Sequence, residues 1–360
     1  MINDMCVNRR QLLVGAAATT AVALASPYIA RAQSGKVLKV SAFGGYFEDS
    51  LVEHVYPKFT EETGIAVQPV SQSGGNTWWT ALRSGLEAGE PPADISMPGG
   101  NGSLRFQELF EPLDEAAFKN LGNVDPRFIA RDPEGRPRTV AVMAWYTTFV
   151  TNTERFPNAP ASWADLWSDE YAGSIGLNAV IETSYLLDIT AVTFFGGQDI
   201  LKTREGILKV MEKLAELIPR TALWYRDEGQ FQQQLQSGEV PAGEYYHDVT
   251  LQAAKDGYPV RSTFPKEGGV IDYGAWAIVK TSKMLSEGQQ FIDWFLKPDV
   301  QTLLTDVVGT APVLPREKVT VSDEVFGKVA SSIPPIVPAF QVYIDNGDWI
   351  AERWAEVLAK

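Results

Sequence analysis

The sequence predicts an α/β protein of two lobes, each a sheet flanked by helices, joined by crossing strands. Strands and helices alternate at short spacing from residue 36 to about 97, a pattern typical of a parallel sheet covered by helices. A second set of alternating elements begins near residue 140. Two long β-rich runs, near 140–150 and 270–279, are too long for one compact lobe, so we expect them to pass between the lobes.

The elements of the first lobe follow in order from the amino-terminal side. The stretch "KVLKVSAF" alternates like a strand, and two glycines end it. Apolar residues at helical spacing predict a helix over 48–63, which Gly64 ends. The remaining predicted elements are the strand "IAVQPV", a helix over "NTWWTALRSGLEAG" and the short buried strand "ADISM".

The second set of elements has the same alternation. After the first long β-run, which begins near residue 140, helices and short strands follow one another up to "VRSTFP". The predicted helices are 162–168, 182–195, 204–218, 227–236 and 248–256, and the strands between them are "TALWY", "VPAGEY" and "VRSTFP". After the second long run, from about residue 280 onward, the chain is predicted to be mostly helical.

The first 32 residues have the features of an export signal rather than of a fold. Arg9 and Arg10 precede an apolar, alanine-rich run, and "ARA" ending at Ala32 is a cleavage pattern. The paired arginines indicate the twin-arginine export route. Cys6 lies before the apolar run, which argues against a lipoprotein anchor. We therefore expect a periplasmic protein, cleaved near Ala32, whose mature chain does not insert into the membrane.

Composition excludes several classes of function. The 360-residue chain carries a net charge of −14, which argues against nucleic acid or anionic membrane surfaces as partners. Cys6 is its single cysteine, so the exported protein has no disulfide. The sequence contains no G-x-S-x-G, H-E-x-x-H or phosphate-binding loop motif, and only two histidines. An exported hydrolase is therefore disfavoured, and we expect neither catalysis nor a cofactor.

Several stretches together resemble the periplasmic solute-binding proteins of ABC importers, in particular the spermidine/putrescine-binding branch. They are "FTEETGIAVQPV", "PADISMPG", "WADLWSDEYAGSIGL", "FPKEGGVIDYGAWAIV" and "FIDWFLKPDVQ". The resemblance implies a type II two-lobe fold, a monomer that captures a small solute between its lobes, and a membrane permease as partner. The lobes that it implies are 36–141 plus 272–308 and 142–271 plus 309–360.

The resemblance also implies a set of site residues. In the polyamine branch, rings pack on the solute and carboxylates bind its ammonium groups, a pairing that cation–π attraction and charged hydrogen bonds favour. The matching positions are Phe43, Tyr46, Glu182, Tyr245 and Asp248. Each has a plainer interpretation: the rings as core or surface residues, and the two acids as helix-terminal residues that stabilise the first turn.

Two further positions depart from the family pattern or extend it. Where the family has an aromatic residue and then an acid two positions later, this chain has Asp272 and Gly274. A solute with one amine is therefore as well supported as a long diamine. The loop "SMPGGNGSL" contains Gly99 and precedes a helix expected at Ser103. Its backbone N–H groups would suit an anionic group of the solute. The alternative interpretation is a plain tight turn.

A ferric-ion site is the alternative that the same superfamily suggests. Ferric-binding relatives use tandem tyrosines at the place of Tyr245 and Tyr246, and phenolates are hard ligands suited to Fe(III). The two histidines support this alternative poorly. His54 is expected mid-helix, and His247 directly follows the tyrosine pair, so its side chain is expected to point elsewhere.

Overall fold

The computed structural model describes residues 35–44, 46–72 and 76–359. The predicted export signal, residues 1–32, lies outside this part of the chain. Within these ranges there are ten strands: β1 (Val37–Phe43), β2 (Ala66–Gln72), β3 (Ile95–Ser96), β4 (Ile129–Arg131), β5 (Pro137–Asn152), β6 (Ile175–Asn178), β7 (Thr221–Tyr225), β8 (Ala242–Tyr246), β9 (Val260–Thr263) and β10 (Val270–Ile278).

Thirteen α-helices lie in the described ranges. They are α1 (Tyr46–Ser50), α2 (Tyr56–Thr63), α3 (Asn76–Ala88), α4 (Gly100–Arg105), α5 (Ile181–Ser184), α6 (Leu186–Phe195), α7 (Arg204–Ala215), α8 (Glu228–Ser237), α9 (His247–Lys255), α10 (Leu285–Phe295), α11 (Pro298–Val307), α12 (Asp323–Val329) and α13 (Phe340–Leu358). Short 3₁₀ turns connect many of these elements. No helix in the described ranges is long and apolar enough to span a bilayer.

The strands form one continuous mixed sheet in the order β2-β1-β3-β10-β5-β8-β6-β7. The three strands at one end are parallel to one another, and so are the three at the other end. Between them, the long β5 and β10 pair antiparallel. Strands β4 and β9 pair with different ends of β5. This confirms the expected α/β fold with crossing strands, in which β5 and β10 are the two long runs.

The core surrounds the crossing strands. Trp276 of β10 is fully buried, and its ring lies 5.3 Å from that of Phe291 and 5.5 Å from that of Phe295, centroid to centroid, on α10. Such a packed aromatic cluster fixes β10 against the helices on one face of the sheet. Trp276 therefore belongs to the core.

Two predicted helices are interrupted. The helix expected over 48–63 contains a π-helical turn over Leu51–Val55. Pro57, in the first turn of α2, has no N–H to donate to the preceding turn, so the hydrogen bonds there shift to a wider spacing. The helix expected over 182–195 breaks at Tyr185, whose φ of 54° and ψ of 21° are left-handed and end α5.

The remaining elements differ from prediction by small shifts of boundary. The helix expected over 162–168 is a 3₁₀ segment, Trp163–Trp167, which begins at a capping box formed by Ser162 and Asp165. The helix expected at Ser103 begins earlier, at Gly100. The glycines of that loop therefore form the first turn of α4 rather than a free loop.

Candidate functional site

The register of the central strands gathers aromatic and acidic residues on one face of the sheet. Trp145 on β5 lies opposite Asp272 on β10, and Thr147 lies opposite Tyr246 on β8. Cross-strand partners share a face, and so do residues two apart on one strand. By the same rule Glu244, which lies opposite Phe149, faces the same way.

An aromatic platform forms where β1 meets this face. The rings of Phe43 and Phe47 lie 6.1 Å and 5.9 Å from the ring of Trp145, centroid to centroid. All three side chains are half-buried, so each keeps an accessible part of its ring. Tyr46 begins α1 beside the platform, but its side chain lies outside the described part of the chain. The structure thus adds Phe47 and Trp145 to the predicted Phe43.

Both carboxylate oxygens of Asp272 accept hydrogen bonds from within the protein. Oδ1 accepts from the backbone N–H groups of Gly100, at 3.1 Å, and Tyr273, at 2.8 Å. Oδ2 accepts from the hydroxyl of Tyr185, at 2.7 Å. Burial raises the pKa of Asp272, and these donors oppose that effect. The anionic group at the amino terminus of α4 is therefore a carboxylate of the chain itself.

Gly99, which precedes α4, and Gly100, which begins it, differ in their steric freedom. Gly99 forms an isolated bridge with Gly274, and a Cβ at Gly99 would make an ordinary 3.7 Å contact with the carbonyl oxygen of Tyr273. A Cβ at Gly100 would lie 2.4 Å from Cζ of Phe340 on α13. Close packing therefore requires glycine at Gly100, a position that the sequence reasoning did not select.

The tandem tyrosines both donate hydrogen bonds to Glu228, the first residue of α8. The Tyr245 hydroxyl bonds the Glu228 carbonyl oxygen at 3.1 Å, and the Tyr246 hydroxyl bonds Oε1 at 2.8 Å. Tyr245 is buried, with its ring 5.4 Å from that of Phe231, whereas Tyr246 is half-buried. Burial, followed by the charge of Glu228, raises the pKa of both hydroxyls. Both hydroxyls act as donors to Glu228 in this arrangement, and their raised pKa values disfavour ionisation to the phenolates that Fe(III) binds.

No observation favours the ferric alternative. In the described ranges, no three His, Cys, Asp or Glu side chains lie close enough to hold a metal ion. His54 is exposed on the π-helical turn. His247 turns away from the tyrosines: its Nδ1 lies 2.7 Å from the Ser262 hydroxyl, and burial lowers its pKa to about 4. The expectation that His247 points elsewhere agrees with this geometry.

Acidic groups surround the hydroxyl of Tyr246. Its pKa is raised first by burial and then by the charges of Glu228, Glu244 and Asp272. Glu244 is 2% exposed, and its Oε1 accepts from the Asn178 backbone N–H at 2.9 Å. Burial raises the pKa of Glu244 to about 8. Such a group of carboxyls favours a cation beside it.

The other two predicted acids lie elsewhere. Glu182 on α5 faces the middle of α13, where a Cβ at Gly347 would lie 3.7 Å from its Oε1. Burial raises the pKa of Glu182, and the charge of Arg105 opposes this. Asp248 on α9 borders a groove of about 760 Å³, together with residues of α8, α11 and α12. Burial raises the pKa of Asp248 to about 6.

The predicted residues therefore fall into separate groups. Phe43 and Asp272 lie near Trp145, and Tyr245 packs beneath Tyr246. Of the other predicted site residues with described side chains, none lines the groove beside Asp248. Reasoning from the sequence missed Trp145, Glu228 and Glu244. A glutamate inside the otherwise apolar strand β8 was a usable signal, because a buried charge is rarely without a role.

Comparisons with known proteins agree with this architecture. A family model of bacterial extracellular solute-binding proteins matches residues 55–325. The spermidine/putrescine-binding periplasmic protein of Escherichia coli K12 is 24% identical over 297 residues, 81% of each chain. The gamma-aminobutyric acid-binding protein of Pseudomonas aeruginosa is 25% identical over 351 residues, 92% of this chain and 93% of that protein.

The solved structures also include similar folds. An ABC transporter substrate-binding protein from Bradyrhizobium japonicum USDA 110 matches with a TM-score of 0.75 at 20% identity, over 89% of this chain and 99% of the other. At this level of identity the likeness shows the fold alone. The resemblance to the spermidine/putrescine-binding branch that the sequence indicated is confirmed by its curated relatives.

Proposed function

The chain belongs to the bacterial extracellular solute-binding proteins, and from that premise we propose that it captures a small amine-bearing organic solute. It delivers the solute to the membrane permease of an ABC importer and performs no chemistry on it. Relatives that bind spermidine, putrescine and gamma-aminobutyric acid support an amine as the common feature of the solute.

One observation carries the choice of an amine: the aromatic platform and the acidic residues share a face of the sheet. Trp145 lies directly opposite Asp272, and Tyr246, which lies opposite Thr147 on the same strand as Trp145, donates to the carboxylate of the exposed Glu228. A protonated amine is attracted to a ring face and to carboxylates alike. Carboxylates repel an anionic group, and a neutral solute gains no charge attraction from them.

The proposal includes two lobes that close on the solute by a hinge. The lobes are 36–141 plus 272–308 and 142–271 plus 309–360. The two long strands β5 and β10 support this division. Strand β5 pairs with β10 near one end and with β8 and β9 near the other end. A few hinge residues in such strands suffice for closure. By this division Phe43 and Gly99 come from the first lobe, and Glu182, Tyr245 and Asp248 from the second.

The proposal also includes export to the periplasm, with residues 1–32 as a twin-arginine-like signal and the mature protein a monomer. Replacing Arg9 and Arg10 with lysines should leave uncleaved precursor in the cytoplasm. Cell fractionation and sequencing of the mature amino terminus measure this. A mature chain that begins near residue 33 supports the proposal, and unchanged export of the double lysine variant contradicts the twin-arginine route.

Thermal unfolding with spermidine, putrescine, gamma-aminobutyric acid and Fe(III) citrate tests the central part of the proposal. A ligand that binds only the native state raises the unfolding temperature. At least one amine should raise it, and Fe(III) should not. The opposite pattern, with a visible phenolate charge-transfer band, would establish the ferric alternative.

A variant pair ties binding to the platform. Trp145→Ala should weaken binding of the amine that raises the unfolding temperature by about 0.5–2 kcal/mol, the range for a cation over an indole ring. Trp167→Ala is the matched control, because Trp167 is also half-buried but packs against the exposed Phe194 on another surface. Isothermal titration calorimetry gives both affinities. Equal affinities of the two variants would remove Trp145 from the site.

A further inference from the structure

The carboxylate of Asp272 joins three separate parts of the chain. Its hydrogen-bond donors are Gly100 at the start of α4, Tyr273 on β10 and Tyr185 between α5 and α6. All three distances lie between 2.7 and 3.1 Å. Hydrogen bonds to a charged acceptor are stronger than neutral ones, so the carboxylate holds these parts together.

The backbone at Tyr185 is strained in a way that aims its side chain at Asp272. Its φ of 54° is left-handed, a conformation unfavourable for a residue with a side chain. The ring is buried, 6.2 Å from that of Phe340 and 6.1 Å from that of Tyr343, centroid to centroid. Such strain persists where the surrounding structure holds it in place, and it often marks a functional position.

The cluster around Asp272 is closely packed. Phe340 of α13 contacts Gly100, where any side chain would collide with it and with Oδ1 of Asp272. The ring of Phe340 also lies 6.1 Å from that of Tyr273, centroid to centroid. The start of α13 therefore covers the same junction that the carboxylate holds together.

We propose that Tyr185 and Asp272 are positioning residues, whose hydrogen bond is a clasp between the two lobes of the solute-binding site. The inference rests on the proposed two-lobe capture function, since by that division Gly100 and Asp272 belong to the first lobe and Tyr185 to the second. Asp272 acts through the elements that it holds, because an ammonium group would have to displace Tyr185 or a backbone donor to reach it. The solute's ammonium group is met instead by Glu228, which is exposed and accepts from the Tyr246 hydroxyl.

A distance measurement without solute tests the clasp. Spin labels are attached at Glu87→Cys on α3 and Glu212→Cys on α7, both exposed, in the full chain carrying Cys6→Ser. Pulsed electron–electron double resonance then measures the distance between the two labels, which reports the interlobe distance. Tyr185→Phe keeps the ring and removes only the hydroxyl. In this variant, the ratio of molecules at the wild-type interlobe distance to molecules at any other distance should fall about tenfold. That is the change expected for the loss of one charge-assisted hydrogen bond.

The matched control is Tyr343→Phe. Tyr343 is also buried, and its hydroxyl also donates to a buried carboxylate, that of Asp188 on α6. That bond lies within the proposed second lobe, so its loss should leave the interlobe distance unchanged. A wild-type distance distribution in Tyr185→Phe, or equal changes in the two variants, would overturn the clasp.

Asp272→Asn separates positioning from direct contact. If Asp272 is a positioning residue, Asp272→Asn changes the interlobe distance as Tyr185→Phe does. The variant that carries both substitutions then changes this distance no further. It also lowers, by the same factor, the affinities for spermidine and for its neutral analogue, in which hydroxyls replace the terminal amines and an ether oxygen replaces the central one. A loss confined to spermidine would make Asp272 a direct ligand and refute the positioning role. If wild-type protein binds neither spermidine, putrescine nor gamma-aminobutyric acid, the proposed function fails, while the solute-free distances still decide the clasp.

Discussion

Replacing Glu244 with glutamine should stabilise the protein by a few kcal/mol in alkaline solution and by only about 1 kcal/mol near pH 5. Glu244 is buried on β8, where its Oε1 accepts from the N–H of Asn178 and from the hydroxyl of Tyr225. A glutamine carbonyl oxygen accepts the same two bonds without acquiring a charge. The substitution therefore removes the ionisation and keeps the packing and the hydrogen bonds.

The sign follows from the pKa of Glu244 in the two states. Burial raises it to about 8 in the folded protein, while an unfolded glutamate titrates near ~4.3. Between these values the unfolded chain has lost the proton and the folded chain has kept it, so the free energy of unfolding falls as the pH rises. Each pKa unit corresponds to ~1.4 kcal/mol, so the full effect above pH 8 is a few kcal/mol.

Urea unfolding at pH 5, 7 and 9 measures this effect. The difference between Glu244→Gln and wild type should grow from about 1 kcal/mol at pH 5 to a few kcal/mol at pH 9. Glu287→Gln is a control of opposite sign, because the hydrogen bond from Lys36 lowers the pKa of Glu287. Its loss should destabilise the protein by an amount that stays constant from pH 5 to 9 and shrinks only below the pKa of an unfolded glutamate, ~4.3. A difference for Glu244→Gln that does not vary with pH would refute the assignment of a buried, neutral carboxyl.

Three further predictions concern the junction and the predicted ligands. Gly100→Ala should destabilise the fold by about 1–3 kcal/mol in urea unfolding, because its Cβ would overlap Phe340, and an unchanged midpoint would contradict the close contact. Tyr246→Phe should change the free energy of unfolding by less than about 1 kcal/mol, since Glu228 is exposed, and a larger loss would show a buried bond. Asp248→Asn should weaken amine binding by about 1 kcal/mol in calorimetry, and an unchanged affinity would remove Asp248 from the site.

The sequence predicted the fold well because the fold depends on patterns that are repeated along the chain. The alternation of strands and helices and the length of the runs that became β5 and β10 were sufficient for the α/β class and the crossing strands. The helix breaks were harder to predict. Pro57 gave a local cause for one of them, whereas the left-handed turn at Tyr185 depends on distant partners, since Asp272 and Phe340 hold its side chain.

The candidate site was predicted only in part, because its residues come from strands whose register is not written in any local pattern. Trp145 faces Asp272 only through the pairing of β5 with β10. Glu228 meets both tyrosines only because α8 begins beside the end of β8. Spacing along the chain placed Tyr245 and Tyr246 side by side, but only packing shows that one is buried and the other partly accessible.

Native mass spectrometry of the protein purified from the periplasm without denaturation tests the central claim most directly. A solute retained between the lobes adds its mass to that of the mature chain, and fragmentation of the released molecule identifies its functional groups. We expect a small organic molecule with at least one amine, whose occupancy falls in Trp145→Ala and persists in Trp167→Ala. A retained ferric ion, or a retained molecule without an amine, would contradict the account.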